Sequence, residues 1–537
     1  MSTFNIHVIY TGGTIGSVGD PLAPLSGADF CKAFSELMVP TIQQRFPSAA
    51  VSCDYLDPTL DSTNLQPSDW CTIAGRVIGA PGDSQTYSTH DAFVILHGTD
   101  TMAWTASALS FLLTGLGADG YANAILSKPV IVTGSQLPLF YQADPQSALS
   151  FLYDTDAIRN VLGAIAAARA GVGSVGLYFD DVLRRGNRTL KTNASQFNAF
   201  SSLDYPPVAR TGVELYAYNE NILPGPYLSS YALDNSAALA RAQNQLAYIA
   251  ANIDNADVMD FLAFPAQYNT SVSPTTSALA DMLERALGAD NGRVRGLYLE
   301  GYGEGNFPSG DPADATKGAV YRVLKQAHDN GVVIVAGTQV VAGIVNSTAY
   351  AAGSWLAQVG CIGSYDMAGP ATQAKLLYLL ALKDYEARNW SQSDIENMMR
   401  TPIAGEMMDV NRLDSLGLGF LVAGQSISAF DASATLINDP DLGPVLTDSA
   451  GKELWRPISG AIMGPGRLIM QDDGNLVFYD RTNAPIWSTR DFSVGQAYSA
   501  LILSGSVTNG SLSLYVYDYH NREVTAVLYG NPPANLT

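Results

Sequence analysis

Short, nearly unbroken apolar runs recur in the first part of the chain, each ended by small or hydroxyl-bearing residues. They are IHVIYTGG (6–13), AFVILHGTD (92–100), PVIVTGSQ (129–136) and VGLYFDD (175–181). A strand with one wet face alternates polar and apolar residues, whereas a strand covered on both faces is apolar throughout, so these runs predict a buried parallel sheet. Helical stretches lie between them, for example 101–117 with Met102, Leu109, Leu112 and Leu113 apolar. The class is α/β. Sheets of this kind receive ligands beyond the carboxyl ends of their strands. Those ends read TGGT, HGTDT and TGSQ, all rich in glycine and hydroxyls.

Residues 210–256 are rich in Tyr, Asn and Ala, contain Pro224 and Pro226, and read as a connection. A second α/β pattern follows in VMDFLAF (258–264), VRGLYLEGYGEGN (294–306), GVVIVAGTQ (331–339) and the helical TQAKLLYLLAL (372–382). After DASATLINDPDLGP (431–444) the pattern becomes short alternating strands with Gly, Asn and Asp turns, which predicts an all-β domain. The expected organisation is a first lobe carrying the site (1–210), a connection (211–256), a second lobe (257–428) and a β domain (432–537).

The formal net charge of −21, from 29 basic and 50 acidic residues, excludes nucleic acid and an anionic membrane surface as main partners. Cys31, Cys53, Cys71 and Cys361 show no CxxC spacing, so reduced core thiols are expected, with neither a zinc site nor a disulfide framework. No metal and no cofactor is implied. The first strand begins within a few residues of Met1, with no basic and apolar leader before it, which predicts a cytoplasmic protein. Residues 331–365 carry no charge, but Gln339, Asn346, Ser347 and several glycines break them into a buried strand, loop and helix rather than a membrane span. The sequon Asn187-Arg-Thr has no meaning in a chain that is not secreted.

YTGGTIG (10–16) matches no phosphate-loop spacing and, alone, is a turn that needs glycine. ILHGTDTMAWTA (95–106) sets Thr99 and Asp100 where a strand gives way to a helix, and there an acid often serves only as a cap. LRRGNRTLKTNASQFNAF (183–200) carries Lys191, and a lone lysine is normally a solvated charge. Together with DSTNLQPSDW (61–70), KPVIVTGSQLPL (128–139) and AGTQVVAGIVNSTAYAAGSWLAQVGCIGSYDMA (336–368), these segments resemble the bacterial-type L-asparaginase family. The likeness runs in order from residue 4 to about 425 and is closest to the cytoplasmic, type I branch.

The resemblance implies two parallel-sheet, Rossmann-like lobes and hydrolysis of the asparagine side-chain amide to aspartate and ammonia, with a side activity on glutamine. It makes Thr11 the nucleophile and Thr99, Asp100 and Lys191 a second hydroxyl–acid–amine set. Ser62, Thr63 and Asp100 would hold the substrate's α-carboxylate and α-ammonium, with Gly12 and Gly98 lining the same pocket. The chemistry agrees, because an unassisted threonine is a poor nucleophile and needs a base or proton relay. Backbone N–H groups around Gly12, Gly13 and HGT suit an oxyanion. His97 is read as structural. Family members form dimers or tetramers in which one subunit's second lobe helps close another's site, and Asn306 is a candidate for that role. One departure stands out: the loop after TGGTIG normally supplies a tyrosine, yet no tyrosine lies between Tyr10 and Tyr55, and Leu22 or a neighbour takes its place. A milder one is an insertion around residues 140–163, near Asp144.

In QDDGNLVFY (471–479) strand alternation places Gln471, Asp473, Asn475, Val477 and Tyr479 on one face and Leu476 and Phe478 on the other. An amide, a carboxylate, a second amide, an apolar patch and a phenol suit a sugar; a plain polar outer face is the structural alternative. The pattern resembles the bulb-type mannose-binding lectin domain, with Trp487 in the following APIWSTRD and a degenerate copy in GSLSLYVYDYHNREV (510–524). That resemblance implies an all-β, prism-like fold, a mannose-type glycan as ligand, and assembly larger than a tetramer through the β domain. It also leaves a surface or extracellular location open. Two readings follow: an asparagine amidohydrolase with a carbohydrate-binding or assembly domain, or a catalytically weakened relative that binds carbohydrate or builds an assembly.

Overall fold

A computed structural model describes residues 3–118, 120, 122–144, 146–213, 215–217, 230–269, 271–289, 293–345, 351–407, 411–415, 419–429, 433–471, 473–489, 499–518 and 523–532. Pro224, Pro226, Asn346 and Ser347 lie outside these. The chain forms two compact units, one made of the residues up to Met407, a short inner segment excepted, and one of the residues after it.

The first unit holds both α/β lobes. In its eight-stranded sheet, Ala49–Leu60, Phe4–Gly12, Ala92–Leu96, Val130–Thr133 and Val175–Phe179 are neighbours in that order and all parallel. Val182–Arg185, Ala209–Thr211 and Leu215–Ala217 extend it antiparallel, so the sheet is mixed rather than purely parallel as expected. The apolar runs are buried as their composition requires: every residue of Ala92–Leu96 and of Val175–Phe179 is inaccessible or nearly so. The helix expected over 101–117 spans Met102–Leu112 and is buried almost throughout. In the second lobe Asp257–Leu262, Val294–Gly301, Val333–Thr338 and Ile362–Gly363 form a wholly parallel sheet. Its core gathers Leu297, Leu299, Ile334 and Ala336 with Leu324 and Trp355.

Among the described residues the second unit forms three four-stranded antiparallel sheets. They share a core that includes Leu436, Leu446, Leu468, Leu476, Leu501 and Leu514, and buried Asn438 ties parts of it by donating to the carbonyls of Leu421 and Gly466. Each sheet takes a short strand from just after Met407: Arg412–Asp414 pairs with Ser499–Ser504, Phe420–Val422 with Gly466–Met470, and Ser426–Ser428 with Ala434–Asp439. The second lobe therefore ends at Met407 and not at residue 428. Three-residue strands have too little pattern to be placed by themselves, and their partners lie far along the chain.

The expectation of four reduced cysteines is also corrected. The helix Gly27–Ala33 lies over Ala49–Leu60, bringing Cys31 and Cys53 to a Cα separation of 5.5 Å in a disulfide, while Cys71 and Cys361 remain as buried thiols. Spacing of 22 residues in sequence gave no sign of this contact.

Candidate active site

Numbered by chain order, the five parallel strands of the first sheet lie 2-1-3-4-5, so the winding reverses between Phe4–Gly12 and Ala92–Leu96. The crevice at such a reversal, beyond the carboxyl ends, is where these sheets place ligands. Thr11 stands there, 2 % exposed, its hydroxyl donating to the Leu96 carbonyl at 3.1 Å. The next two residues need to be glycine. Gly12 has φ +122°, and a Cβ on it would meet the Leu60 carbonyl oxygen at 2.1 Å. Gly13 has φ +87°, and a Cβ on it would lie 2.4 Å from Gly98 Cα. A Cβ on Gly98 would in turn meet Ser62 Oγ at 2.4 Å. Missing side chains thus let three loops converge: TGGT, HGTD and the turn at Ser62.

The second hydroxyl set is fully formed. Lys191 Nζ donates to Thr99 Oγ1 at 2.9 Å and to Asp100 Oδ1 at 2.7 Å. Thr99 directs its own proton to Gln136 Oε1 at 3.5 Å. Asp100 does not cap the following helix, whose N-cap is Thr101, and the Thr101 hydroxyl instead donates to the Ser62 carbonyl at 2.7 Å. Among the described residues no hydrogen bond joins Thr11 to Thr99 or Lys191.

Ser62 is buried, and among the described residues its hydroxyl has no hydrogen-bond partner. Thr63 is exposed and donates to Asp61 Oδ1 at 2.6 Å. The hydrogen bonds from Thr63 hold the Asp61 carboxyl below the usual carboxylate range. His97 is structural, as read: Nδ1 faces the Gly98 carbonyl at 2.7 Å and Nε2 the Thr105 hydroxyl at 2.9 Å. Complete burial lowers its pKa to about 4, so the ring is neutral, with Nδ1–H donating and Nε2 accepting.

Several supporting groups escaped the sequence reading. Gln136 belonged to the quoted TGSQ, but its role needed the fold. Its Nε2 reaches the Gln196 carbonyl at 3.1 Å, and its backbone N–H donates to Asp156 Oδ2 at 2.9 Å. Asn160 Nδ2 bonds both Asp156 Oδ2 and the Gly134 carbonyl. Burial pushes the Asp156 carboxyl up despite these donors. The segment just before Lys191 is tied to the second lobe. Arg185 and Asn187 donate to the Ala404 carbonyl, and Arg188 donates to the Gly405 carbonyl and pairs with buried Asp366 at 2.5 Å. That loop is fastened by Glu406, which accepts from the N–H groups of Ile403 and Ala404 and meets Lys375 at 2.6 Å with both side chains 0 % exposed. Burial alone would raise the Glu406 carboxyl, but Lys375 and the backbone donors more than offset it and leave it low.

The missing loop tyrosine has no substitute within its own loop. Leu22 is 54 % exposed. Tyr10 is buried, stacked on Phe30 at 3.8 Å, and as the neighbour of Thr11 in a strand it points to the opposite sheet face. The inserted segment forms the hairpin Phe140–Tyr141 with Ser150–Phe151, and Leu139 N–H donates to the Ile15 carbonyl, which braces the TGGTIG loop. Asn306 lies in the turn after Val294–Gly301, bridged to Tyr302.

In the β unit the strand is Leu476–Asp480, so among the described residues of 471–479 only Leu476 to Tyr479 are strand. Gln471 N–H donates to the Asn475 carbonyl in a turn in which Gly474 has φ +86°. The single alternating face is therefore corrected. Val477 is 3 % exposed and unavailable to a sugar, whereas Leu476 and Phe478 enter the core as expected. The turn still brings the polar groups together. Gln471 Nε2 donates to the Tyr479 hydroxyl at 2.8 Å, Asp473 accepts from Asn475 N–H, and Asn475 Oδ1 accepts from Thr489. The segment expected to be a degenerate copy contributes Ser513–Asp518 to the sheet with Ser499–Ser504 and Glu523–Tyr529. The remaining sheet repeats one detail: Asp448 caps its turn through Ala450 and Lys452 N–H as Asp480 does through Thr482 and Ala484.

Comparison with known proteins agrees with this geometry. A family model described as "Asparaginase, N-terminal" matches residues 5–223, and one described as "Glutaminase/Asparaginase C-terminal domain" matches residues 274–391. The chain is 34% identical over 382 residues to L-asparaginase 1 of Escherichia coli (strain K12), covering 71% of this chain and 93% of the relative. It is 30% identical over 406 residues to the L-asparaginase of Thermococcus kodakarensis, covering 74% and 98%. Among solved structures, L-asparaginase I from Vibrio cholerae shares 29% identity at a TM-score of 0.53, covering 76% of this chain and all of that one. With the glycine-packed crevice and the Thr99–Asp100–Lys191 set in place, the chain belongs to the asparaginase family.

Proposed function

We propose that the protein is an L-asparaginase, hydrolysing the side-chain amide of asparagine to aspartate and ammonia, with weaker action on glutamine. The observation that carries this reading is Lys191, placed between the Thr99 hydroxyl and the Asp100 carboxylate at the carboxyl edge of the first sheet. Thr11 attacks the amide carbon. The proton lost by the Thr11 hydroxyl goes, by way of Thr99 joined to Lys191, to the nitrogen that leaves as ammonia, and water then hydrolyses the Thr11 ester, releasing aspartate and restoring the hydroxyl. N–H groups around Gly12, Gly13 and Gly98 take the developing oxyanion, a contribution of roughly 3–4 kcal/mol per donor in acyl-transfer sites where one has been removed. The Ser62 hydroxyl and the Asp100 carboxylate bind the α-carboxylate and α-ammonium, with Thr63 at the edge. No cofactor takes part. The first organisation tested should be a dimer or tetramer in the cytoplasm.

Ammonia release from asparagine and glutamine by the purified chain tests the reading, with Thr11→Ala and Thr99→Val as controls. Turnover of neither amide would leave the alternative, a weakened relative, as expected from the absent loop tyrosine.

For the β unit we propose a mannose-type carbohydrate site at Gln471, Asp473, Asn475 and Tyr479. The Gln471–Tyr479 hydrogen bond across the hairpin supports it. A mannose-presenting matrix should retain the intact chain and release the Asp473→Ala/Asn475→Ala variant. Wild type that flows straight through leaves these residues only their turn-forming role.

A further inference from the structure

The TGGTIG loop is followed by a segment whose far end is tied down covalently. Gly16 leads into the hairpin of Ser17–Val18 with Ala23–Pro24, and Leu25 N–H closes it by donating to the Gly16 carbonyl at 2.9 Å. Ser26 then caps the helix Gly27–Ala33 by accepting from Asp29 N–H. That helix reaches back to the residue before Thr11 through aromatic rings. Phe30 stacks on Tyr10, and Gly27 lies against Tyr55, the register partner of Tyr10, where a Cβ would meet the ring at 2.1 Å. One residue after Phe30, Cys31 is bonded to Cys53 on the outermost strand of the sheet.

Tyr10 supplies an independent observation. It is fully buried, yet its hydroxyl has no hydrogen-bond partner among the described residues, whereas buried hydroxyls ordinarily find one. The oxygen sits directly under the loop: a Cβ on Gly16 would come within 2.0 Å of it. Leaving it unpaired is unfavourable, and any loop movement that admits a water relieves it. The seated loop is therefore under a pull to open, which the helix, its aromatic stack and its covalent anchor oppose. We propose that the Cys31–Cys53 bond is a redox-controlled clamp on the active-site loop. Oxidised, it keeps the helix, the Phe30–Tyr10 stack and TGGTIG seated; reduced, it lets residues 17–26 loosen and turnover at Thr11 fall. Its effect on turnover rests on the amidase proposed above; the clamp itself does not.

The bond is placed for exchange. Cys53 is half-buried on the edge strand while Cys31 is buried, so a thiolate from outside reaches the Cys53 sulfur first. A dithiol reductant attacks Cys53 Sγ, the bond to Cys31 breaks, and Cys31 Sγ leaves as a thiolate that takes up a proton. The second thiol of the reductant then attacks its own sulfur in the mixed disulfide, freeing the Cys53 thiol and closing the reductant's disulfide. Two electrons and two protons pass to the protein, and excess of a small disulfide reverses the exchange. The other thiols stay out of it. Burial pushes Cys71 up to about 12 and raises Cys361 as well, so both remain protonated and unreactive. In the cytoplasm proposed above, such a bond forms and breaks with the redox state instead of serving as a permanent staple.

Amide hydrogen exchange and ammonia release should be measured on the full chain in three states: oxidised, reduced with dithiothreitol, and reoxidised with glutathione disulfide. Reduction should speed exchange over residues 17–26 by at least about tenfold and lower kcat/KM for asparagine by about threefold or more. Reoxidation should restore both, and the helix Met102–Leu112 should exchange alike in all three states. Cys31→Ser/Cys53→Ser should show the reduced values with or without dithiothreitol; should it not fold, the reversible reduction of wild type decides. Unchanged exchange over 17–26, acceleration spread evenly over the molecule, or a response that persists in the folded double variant would each overturn the clamp. Unchanged turnover with responding exchange would overturn its control of catalysis. Turnover of neither amide in any state, with exchange responding as expected, would sink the amidase and uphold the clamp.

Discussion

At the carboxyl edge of the first sheet the Thr99 hydroxyl meets an ammonium that already has its carboxylate, Lys191 with Asp100. At the same edge of the second sheet two carboxyls, Asp260 and Glu300, stand together with no cationic partner among the described residues, beside a buried phenol. The backbone frame is alike in both: parallel strands, helices behind them, loops at the open end. What differs is the residue at each strand end. An internally neutralised set can receive a zwitterionic amide and move protons, whereas an unneutralised pair retains protons at a pH where carboxyls ordinarily lose them. Related frames therefore carry different chemistry, and function has to be argued from the side chains.

The sharpest way to break this contrast is activity. Thr11→Ala and Thr99→Val should each lower ammonia release from asparagine by about 10³-fold or more. Asp260→Asn/Glu300→Gln should leave it within about threefold, given ordinary surface-type effects. Equal losses at both edges would make the second edge part of the same site. Next in size is the fastening of the loop at residues 403–406. Lys375→Met strands the buried Glu406 charge and should cost about 3–5 kcal/mol in urea unfolding, most of it recovered in Lys375→Met/Glu406→Leu.

The two edges should also respond to pH with opposite sign. His97 is held neutral at about 4 against 6.5 ordinarily, so the unfolded chain binds more protons and stability falls as pH drops through that window, by ~1–3 kcal/mol. Burial and the Glu300 carboxyl raise Asp260 from 3.8 to about 7, so the folded chain binds more protons and its contribution is lost as pH rises between those values. Urea midpoints of wild type and Asp260→Asn across this range separate them: the variant should gain relative to wild type only towards the alkaline end. The smallest signal is chemical. Under denaturing conditions without reductant, two thiols per chain should react, Cys71 and Cys361; four would show that Cys31 and Cys53 are not joined.

Legibility followed interaction range. The place of Thr11, Thr99 and Asp100 at the ends of apolar runs was readable, and strand ends are where such sheets bind ligands, but the roles proposed for them came from the resemblance. Lys191 required the resemblance, since nothing local marks it as more than a surface lysine. Gln136, Asp156 and Asn160 are ordinary residues that become a brace only when the strand Val130–Thr133 meets the helix Ala157–Arg169. In the β unit, the alternation of Leu476 and Phe478 identified the core face, but it ran one face through 471–475, where Gly474 bends the chain into a turn.

Strand and helix order, the two α/β lobes, the β tail and the threonine-bearing loops follow from the sequence, because buried strands need continuous apolar residues and tight loops need glycine. The tertiary structure decided the Cys31–Cys53 bond, the boundary after Met407, the Glu406–Lys375 fastening and the meeting of Asp260 with Glu300. Each joins residues whose nearness depends on packing of distant segments, and no local pattern of polarity or spacing encodes that distance.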